Sequence, residues 1–255
     1  MLFKEREKFE RTDVWHYDPK FNPVAVAVLV VIFVVLALVV SSLWGKANQP
    51  TRISDEALGS AVKSQEGATS PDGYSFSSHS FTNVLVLTVD DVSAEKPQLK
   101  RAEILTLDAT ARTAAIASIP LDTKVANGET ETTLAELYQE QGPSACIVPI
   151  AGASNLRMTH VVVATEDVWD KVAALKGHGV SAILGSSSDI FSSINTDMSV
   201  SDMMSLAELV QSIGVANFQH FDAAVTSEDN GAGGTRSVLD PVQLGVQLGI
   251  LVAAQ

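Results

Sequence analysis

The chain has few residues that could cross-link it or bind a transition metal. Its 255 residues include one cysteine, Cys146, so no internal disulfide can form. The neighbours of this cysteine are apolar, which predicts a small buried side chain rather than a reactive thiol. No two of the five histidines have the spacing of metal ligands.

Positive charge is also scarce. The sequence has 17 Lys and Arg against 30 Asp and Glu, a formal net charge of −13. Residues 1–22 contain as many acidic as basic residues, so the whole net charge lies in the rest of the chain. A nucleic-acid-binding protein needs a basic face, which argues against that class. An anionic ligand would have to be held locally, by a few cations or a metal ion.

No charged residue occurs from Pro23 to Leu43. This apolar run is long enough to cross a bilayer as a helix, and Trp15 and Trp44 flank it as interfacial aromatics do. It exceeds the apolar region of a cleaved signal peptide, and no small-x-small site follows it. The sequence therefore predicts a retained transmembrane signal anchor over residues 23–45.

The orientation follows from the basic residues on either side of the span. Five precede it and three lie within about 20 residues after it, so the positive-inside rule places the N-terminus in the cytoplasm. We expect a cytoplasmic tail (1–22), the anchor (23–45), an extracytoplasmic linker (46–80) and an extracytoplasmic domain (81–255) of a single-pass cell-membrane protein. The basic residues are Lys4, Arg6, Lys8, Arg11 and Lys20 before the span, and Lys46, Arg52 and Lys63 after it.

Strand and helix patterns alternate after the linker. Amphipathic spacing predicts helices over Thr130–Gly142, after Thr165, over Ser199–Gly214 and from Pro241, and a short one near Asp55–Lys63. Residues 143–153 keep no assignment. The interleaving predicts an α/β fold, a mixed β-sheet covered by helices. The predicted strands are Asn83–Asp91, Ala102–Thr110, Thr113–Pro120, Met158–Thr165 and Phe218–Val225.

Charged residues cluster where the first three predicted strands begin or end. If the first strand is parallel to the third, and the second and third form a hairpin, these residues share one sheet edge. Carboxylates with Lys or Arg are suited to a phosphate ligand with Mg²⁺, although solvated strand ends would look the same. The residues are Asp90, Asp91, Lys100, Arg101, Glu103, Asp122 and Lys124.

The same segments resemble the LytR–CpsA–Psr family of cell-envelope proteins. The resemblance lies in "NVLVLTVDD", "RAEILTLDATARTAAIASIPLDTKV", "TLAELYQEQGPSACIVPI" and "MTHVVVATEDVWDKVAALKG", which follow the order of the family motifs over roughly residues 81–180. The Ile-Pro-x-Asp-Thr element at Ile119–Thr123 is its most specific part.

The resemblance implies both a function and a site. Family members transfer anionic glycopolymers from a polyprenyl-pyrophosphate carrier to peptidoglycan outside the membrane. Arginines and an aspartate-bound Mg²⁺ hold the pyrophosphate, and an apolar groove takes the lipid. Carried over to this sequence, the catalytic residues would be Asp90, Arg101 and Glu103, the Mg²⁺ ligands Asp90 and Glu103, and the further ligand-binding residues Lys100, Asp122 and Lys124.

Several positions depart from the family pattern. Val92 and Leu121 stand where arginine is expected, Glu103 replaces aspartate, and Lys124 replaces arginine. No arginine occurs between Arg157 and Arg236. Each lost charge-assisted hydrogen bond removes about 1.5–3 kcal/mol of binding free energy.

These departures favour a degenerate member that binds or regulates in envelope assembly, with glycopolymer, peptidoglycan or envelope proteins as partners and no cofactor. One alternative is an active phosphotransferase that uses Mg²⁺, Lys100, Arg101 and Lys124. The other is an anchored receptor or adhesion domain unrelated to the family.

Overall fold

The structure, a computed structural model, describes residues 54–166, 193–214, 217–231 and 233–254. None of the helices within these ranges has the length and apolar composition that a membrane crossing requires. The predicted tail and anchor, 1–22 and 23–45, lie outside the described residues. So does the helix predicted after Thr165, apart from its first residues.

A six-stranded sheet lies at the centre of the described part of the chain, in the order β8-β7-β2-β3-β4-β9. β3 is antiparallel to β2 and to β4, so β2 and β4 run in the same direction. β7 is parallel to β2, β9 is parallel to β4, and β8 is antiparallel to β7. The predicted mixed sheet is confirmed. Its strands are β2 (Phe81–Val89), β3 (Leu99–Asp108), β4 (Thr113–Ile119), β7 (His160–Thr165), β8 (Ile194–Thr196) and β9 (Phe218–Asp222).

Residues that alternate along the strands pack against helices on one side of the sheet, here called the first face. Leu85, Leu87 and Ile104 are members of this core and have no more than 1% of their surface exposed. Side chains from four helices complete this core. The helices are α1 (Glu56–Lys63), α2 (Leu134–Gln141), α3 (Pro143–Ser154) and α5 (Pro241–Gln247).

The second face of the sheet carries the other alternate residues, among them Val84, Glu103 and Leu105. Helix α4 (Val200–Ile213) belongs to this side, because its first-turn residue Asp202 is close enough to His160 of β7 for the two charges to interact. Ser199 and Asp202 form a capping box that fixes the start of the helix.

The first helix after the β3–β4 hairpin begins later than its pattern predicts. Residues 130–133 form strand β6 (Thr130–Thr133), which pairs with β5 (Lys124–Asn127). The helix starts at Leu134 because Thr133 and Glu136 form a capping box there. The unassigned segment 143–153 is helix α3, which begins at Pro143 and has Asn155 in the left-handed region as its C-cap.

The C-terminal part also differs from the prediction. The strand predicted over Phe218–Val225 is divided between β9 and β10 (Val225–Asp229), and β10 pairs with β11 (Thr235–Leu239). The last helix ends at Gln247, and the chain then forms β12 (Leu251–Ala253). Gly249, at φ +73°, makes the turn between them, a conformation that glycine adopts without strain.

The N-terminal described segment packs on the domain. Leu58 of α1 is 1% exposed within the first-face core, and Gln65 exchanges two hydrogen bonds with the backbone of Met158. Strand β1 (Tyr74–Phe76) pairs with β12. Residues 54–80, the larger part of the segment that the sequence analysis assigns to a linker, are thus held against the fold.

Candidate functional site

The topology brings the three predicted strand ends to one edge of the sheet. The end of β2 pairs with the start of β3, through Thr88 with Arg101 and Val89 with Leu99. The end of β4 lies on the other side of β3, with Ile119 opposite Ala102. The sequence-based expectation of a shared edge is therefore confirmed for the backbone.

Side-chain alternation divides the predicted residues between the two faces. Arg101 and Glu103, two residues apart on β3, project from the second face together with Thr88 and Ser118, their cross-strand partners. Lys100 lies in an irregularity where the register shifts between Thr88 and Val89. The edge thus carries two groups of charged side chains rather than one.

The group on the second face is centred on Glu103. His220 Nε2 lies 3.1 Å from Ser118 Oγ and 3.6 Å from Glu103 Oε1, so the imidazole stands between a hydroxyl and a carboxylate. Burial raises the pKa of Glu103 above its ordinary value, although the positive charges of Arg101 and His220 oppose this. The guanidinium of Arg101 is half-buried, with Nη2 3.6 Å from Glu166 Oε1.

Three buried polar atoms of this group have no hydrogen-bond partner among the described residues. They are Thr88 Oγ1, Arg101 Nε and Glu103 Oε2. Buried polar groups are nearly always hydrogen-bonded, so adjacent atoms without partners indicate room for a further polar group such as water or a ligand atom. An oxyanion could be bound here by the Arg101 Nε–H, the Thr88 hydroxyl and the Glu103 carboxyl. Burial favours the neutral form of that carboxyl, which can donate a hydrogen bond.

Asp90 belongs to the other group, at the turn after β2. Its Oδ1 accepts hydrogen bonds from the N–H groups of Asp91 and Gln98, both 2.8 Å away. The bond from Gln98 is the main reason that the pKa of this exposed carboxyl is lowered, and Lys100 adds a favourable charge. Lys100 Nζ itself donates to Gln98 Oε1 at 3.0 Å. Asp90 therefore organises its own turn.

Asp90 and Glu103, the predicted Mg²⁺ ligands, lie in different groups at this edge. Glu103 pairs with Val86, four residues before Asp90, a distance of about 13 Å along the strand. Among the described residues, no three His, Cys, Asp or Glu side chains are grouped so that they could hold a metal.

Lys124, the third predicted cation, is committed to carboxylates away from Glu103. Its Nζ lies 2.7 Å from Glu131 and 3.2 Å from Glu228, and Arg236 contacts the same two acids at 2.6 and 2.9 Å. The hydrogen bond with Glu131 is the main reason that the pKa of Lys124 is raised. The two cations and two acids connect the β5–β6 hairpin to the β10–β11 hairpin.

The remaining predicted position, Asp122, is exposed, and its carbonyl oxygen accepts a hydrogen bond from the N–H of Ser237 at 3.3 Å. Beside it, Leu121 packs on the first-face core, and so does Val92 in the turn after β2. Both positions where the resemblance expects arginine are thus occupied by side chains that take part in apolar packing.

Tyr138 and Cys146 lie near this edge under the first face. Both are buried, with no more than 2% of the surface exposed. Burial raises the pKa of the Cys146 thiol to about 12 and also raises the pKa of the Tyr138 phenol, to which the charge of Asp90 contributes. The Tyr138 hydroxyl has no hydrogen-bond partner among the described residues.

Comparison with known proteins gives the fold. No known protein-family profile matches the chain, and no curated protein matches its sequence. Solved structures do match. Lin1025 of Listeria innocua is 13% identical with a TM-score of 0.51, and the match covers 66% of this chain and 95% of Lin1025. The chain has the LytR–CpsA–Psr fold.

Two further structures agree with the match to Lin1025. TagV of Bacillus subtilis is 10% identical, with a TM-score of 0.51 over 68% of this chain and 96% of TagV. Protein gbs0355 of Streptococcus agalactiae is 9% identical, with a TM-score of 0.53 over 66% of this chain and 86% of the other. The fold implied by the sequence motifs is thereby confirmed at the level of architecture.

Sequence reasoning missed His220 and Ser118. His220 lies within the strand predicted over Phe218–Val225, and only the pairing of β9 with β4 brings it beside Glu103. The signal in the sequence was weak, since a histidine on a strand more often serves structure. His160 illustrates this, because its Nδ1 lies 3.1 Å from Asp197 Oδ2 in a contact that connects β7 to the segment after β8.

Proposed function

We propose that the chain is a membrane-anchored, extracytoplasmic protein of cell-envelope assembly that binds or regulates and has little or no transferase activity. The observation that supports this most is the packing of Val92 and Leu121 on the first-face core. A pyrophosphate carries at least two negative charges, and guanidinium groups bind such charges through paired hydrogen bonds. At these two positions the chain uses apolar side chains instead.

The other predicted cations do not make up for that loss. Lys124 is neutralised by Glu131 and Glu228, and Lys100 lies at the turn of Asp90, which leaves Arg101 beside the buried group on the second face. Each missing charge-assisted hydrogen bond lowers affinity by about 10- to 100-fold at 1.5–3 kcal/mol. We therefore expect weak binding of polyprenyl pyrophosphate and slow or no turnover.

The location and partners are part of the same proposal. The uncharged span over 23–45 and the excess of Lys and Arg before it support an N-terminus in the cytoplasm and a domain outside. Polyprenyl-linked glycopolymers, peptidoglycan or envelope proteins would then be the accessible partners. The net charge of −13 disfavours a broad polyanion-binding surface, so contact with an anionic polymer would be local.

An active phosphotransferase is the alternative. The atoms without partners at Thr88, Arg101 and Glu103 favour it, because they form a buried polar position at the strand edge. The two predicted Mg²⁺ ligands, Asp90 and Glu103, lie in different groups at this edge, and no catalytic step is assigned to the ion. In this alternative Arg101 would bind a phosphate oxygen, and a neutral Glu103 could donate a hydrogen bond.

Binding of a polyprenyl pyrophosphate to the purified full-length chain, with and without Mg²⁺, tests the proposal. Release of phosphate is then assayed on the same samples. Binding weaker than micromolar with no release would support a degenerate site. Tight, Mg²⁺-dependent binding with turnover, reduced by Arg101→Gln but not by the control Arg112→Gln at the exposed β3–β4 turn, would overturn it.

A further inference from the structure

A cavity lies at the opposite edge of the sheet, where β2 and β7 begin. It has a volume of about 330 Å³, at the lower end of the range for small-molecule pockets. Its apolar wall consists of Val62, Phe81 and Met158. The rim carries the exposed side chains of Lys63 and Arg157.

The polar lining of this cavity offers hydrogen-bond donors. Neither Lys63 nor Arg157 forms an ion pair with any described residue, and none of the described residues that line the cavity is acidic. The Thr159 hydroxyl oxygen accepts a hydrogen bond from the Asn83 N–H at 3.2 Å, so its own proton is free to be donated inward.

The backbone around the cavity is fixed by hydrogen bonds. The Asn83 side chain donates to the Arg157 carbonyl at 3.0 Å and accepts from the Thr106 hydroxyl at 2.9 Å. The Met158 N–H donates to Gln65 Oε1 at 2.8 Å. The main chain of Arg157 is thus fixed at the rim.

The nearest carboxylate in the sheet register does not compete for these cations. Asp108 stands opposite Phe81, but its Oδ2 contacts His79 Nδ1 at 2.7 Å, and its Oδ1 accepts the N–H groups of Thr110 and Ala111. Lys63 also lies in the last turn of α1, where a cation complements the helix dipole. Arg157 has no such structural role.

We propose that this cavity is a second binding site, for a small organic anion that joins a phosphate or carboxylate group to an apolar group. The anionic group would lie between Lys63 and Arg157 and accept a hydrogen bond from Thr159. The apolar group would contact Val62 and Phe81. The site is independent of the Arg101 group, because β2 places Asn83 five residues, about 16 Å, before Thr88.

Titration calorimetry of the full-length chain in a nonionic detergent, with phenyl phosphate as the probe, tests this site. We expect saturable binding that Lys63→Gln and Arg157→Gln each weaken at least fivefold. Lys96→Gln, at an exposed lysine outside the cavity, should leave it unchanged. Each substituted position has an exposed or half-exposed side chain, and circular dichroism checks that each variant folds.

Two probes separate the chemical requirements of the site. Inorganic phosphate lacks the apolar group and benzyl alcohol lacks the charge, so each should bind at least tenfold more weakly than phenyl phosphate. Equal binding of either probe would overturn the proposal. An Arg157→Gln variant that binds like the parent, or a Lys96→Gln variant that loses binding, would overturn it as well.

A last arm identifies the source of the ligand. Short-chain phosphatidic acid carries the same phosphate and apolar chemistry on a lipid. Displacement of phenyl phosphate by this lipid would assign the site to a membrane lipid head group, whereas binding of phenyl phosphate that the lipid leaves unchanged would assign it to a free metabolite. Because these readouts depend on Arg157 rather than Arg101, they can fail without affecting the proposed function.

Discussion

Glu103 and His220 lie 3.6 Å apart, between Oε1 and Nε2, although their strands are separated by β4. The carboxylate is only 3% exposed, and its second oxygen has no partner among the described residues. Burial of this carboxyl raises its pKa above the ordinary value, against the opposing charges of Arg101 and His220.

This relationship predicts a pH-dependent effect of Glu103→Gln. Since the pKa of Glu103 is raised in the folded state, its ionisation destabilises the fold as the pH rises above the ordinary value of 4.5, until the folded carboxyl is ionised as well. The free energy of unfolding of the variant, minus that of the parent, should therefore increase with pH across this window. Urea denaturation at several pH values measures it, with Glu95→Gln at an exposed site as the control. A difference that does not change with pH would contradict the prediction.

Lys124→Gln should act on stability and not on ligand binding. The ammonium connects two hairpins through Glu131 and Glu228, and exposed ion pairs of this kind are screened by salt. We expect a small fall in Tm at low salt that disappears in 1 M NaCl, with unchanged binding of polyprenyl pyrophosphate. A loss of pyrophosphate binding comparable to that of Arg101→Gln would instead place Lys124 in the ligand site.

Arginine at the two positions where the resemblance expects it should strengthen the binding of polyprenyl pyrophosphate. Leu121→Arg and Val92→Arg each remove apolar packing from the first-face core, which should cost about 1–2 kcal/mol of stability for a half-buried side chain. If the site is degenerate, the double variant should bind polyprenyl pyrophosphate at least tenfold more tightly. Val225→Arg, at an exposed position on β10, controls for added charge. A double variant that folds and gains no affinity over this control would count against the proposal.

Two glycines in helices should respond in opposite ways to alanine. A Cβ at Gly245 of α5 would lie 2.6 Å from Leu251 Cδ1, and Leu251 is buried, so Gly245→Ala should destabilise by about 1–3 kcal/mol. A Cβ at Gly152 of α3 meets no atom within 4 Å, so Gly152→Ala should stabilise by about 0.5–1 kcal/mol. Thermal or urea denaturation distinguishes the two. If both variants were more stable than the parent, helix propensity would outweigh packing at Gly245 as well.

Cys146 should be inert in the native protein. Burial raises the pKa of its thiol to about 12, so almost no thiolate exists at pH 8, and the thiolate is the reactive species. An aromatic disulfide reagent should modify one thiol per chain at pH 8 only after denaturant is added. Rapid reaction of the folded chain would show that α3 opens locally.

The strands of the centre of the sheet were predictable because their apolar runs are long and end in charged residues. β2, β3, β4 and β7 all lie where the sequence places them, within one to three residues at each end. Helix starts were less predictable. Alternating threonines at residues 130–133 suit a helix cap and a strand equally well, and pairing with β5 determines that they form β6.

The sequence predicts which strand ends meet at the candidate site, but it does not predict which side chains contact one another there. The hairpin of β3 and β4 fixes which strand ends meet, and this follows from turn length. The direction of Asp90 depends on the register shift beside Lys100, which the sequence does not reveal. The contact with His220 depends on a parallel pairing across about 100 residues of chain, and no local pattern encodes such a pairing.

The hydrogen bonds that residues 54 and 55 make to the fold limit how far the domain can lie from the predicted membrane span. The N–H groups of Ser54 and Asp55 donate to the carbonyls of Met198 and Thr196, so the chain is anchored to the fold from there onward. Eight residues, 46–53, separate this point from the predicted span, and fully extended they reach no more than about 30 Å. If the span forms, the connecting segment keeps the domain close to the bilayer surface. The domain could then reach lipid-linked molecules but not the outer layers of a thick wall.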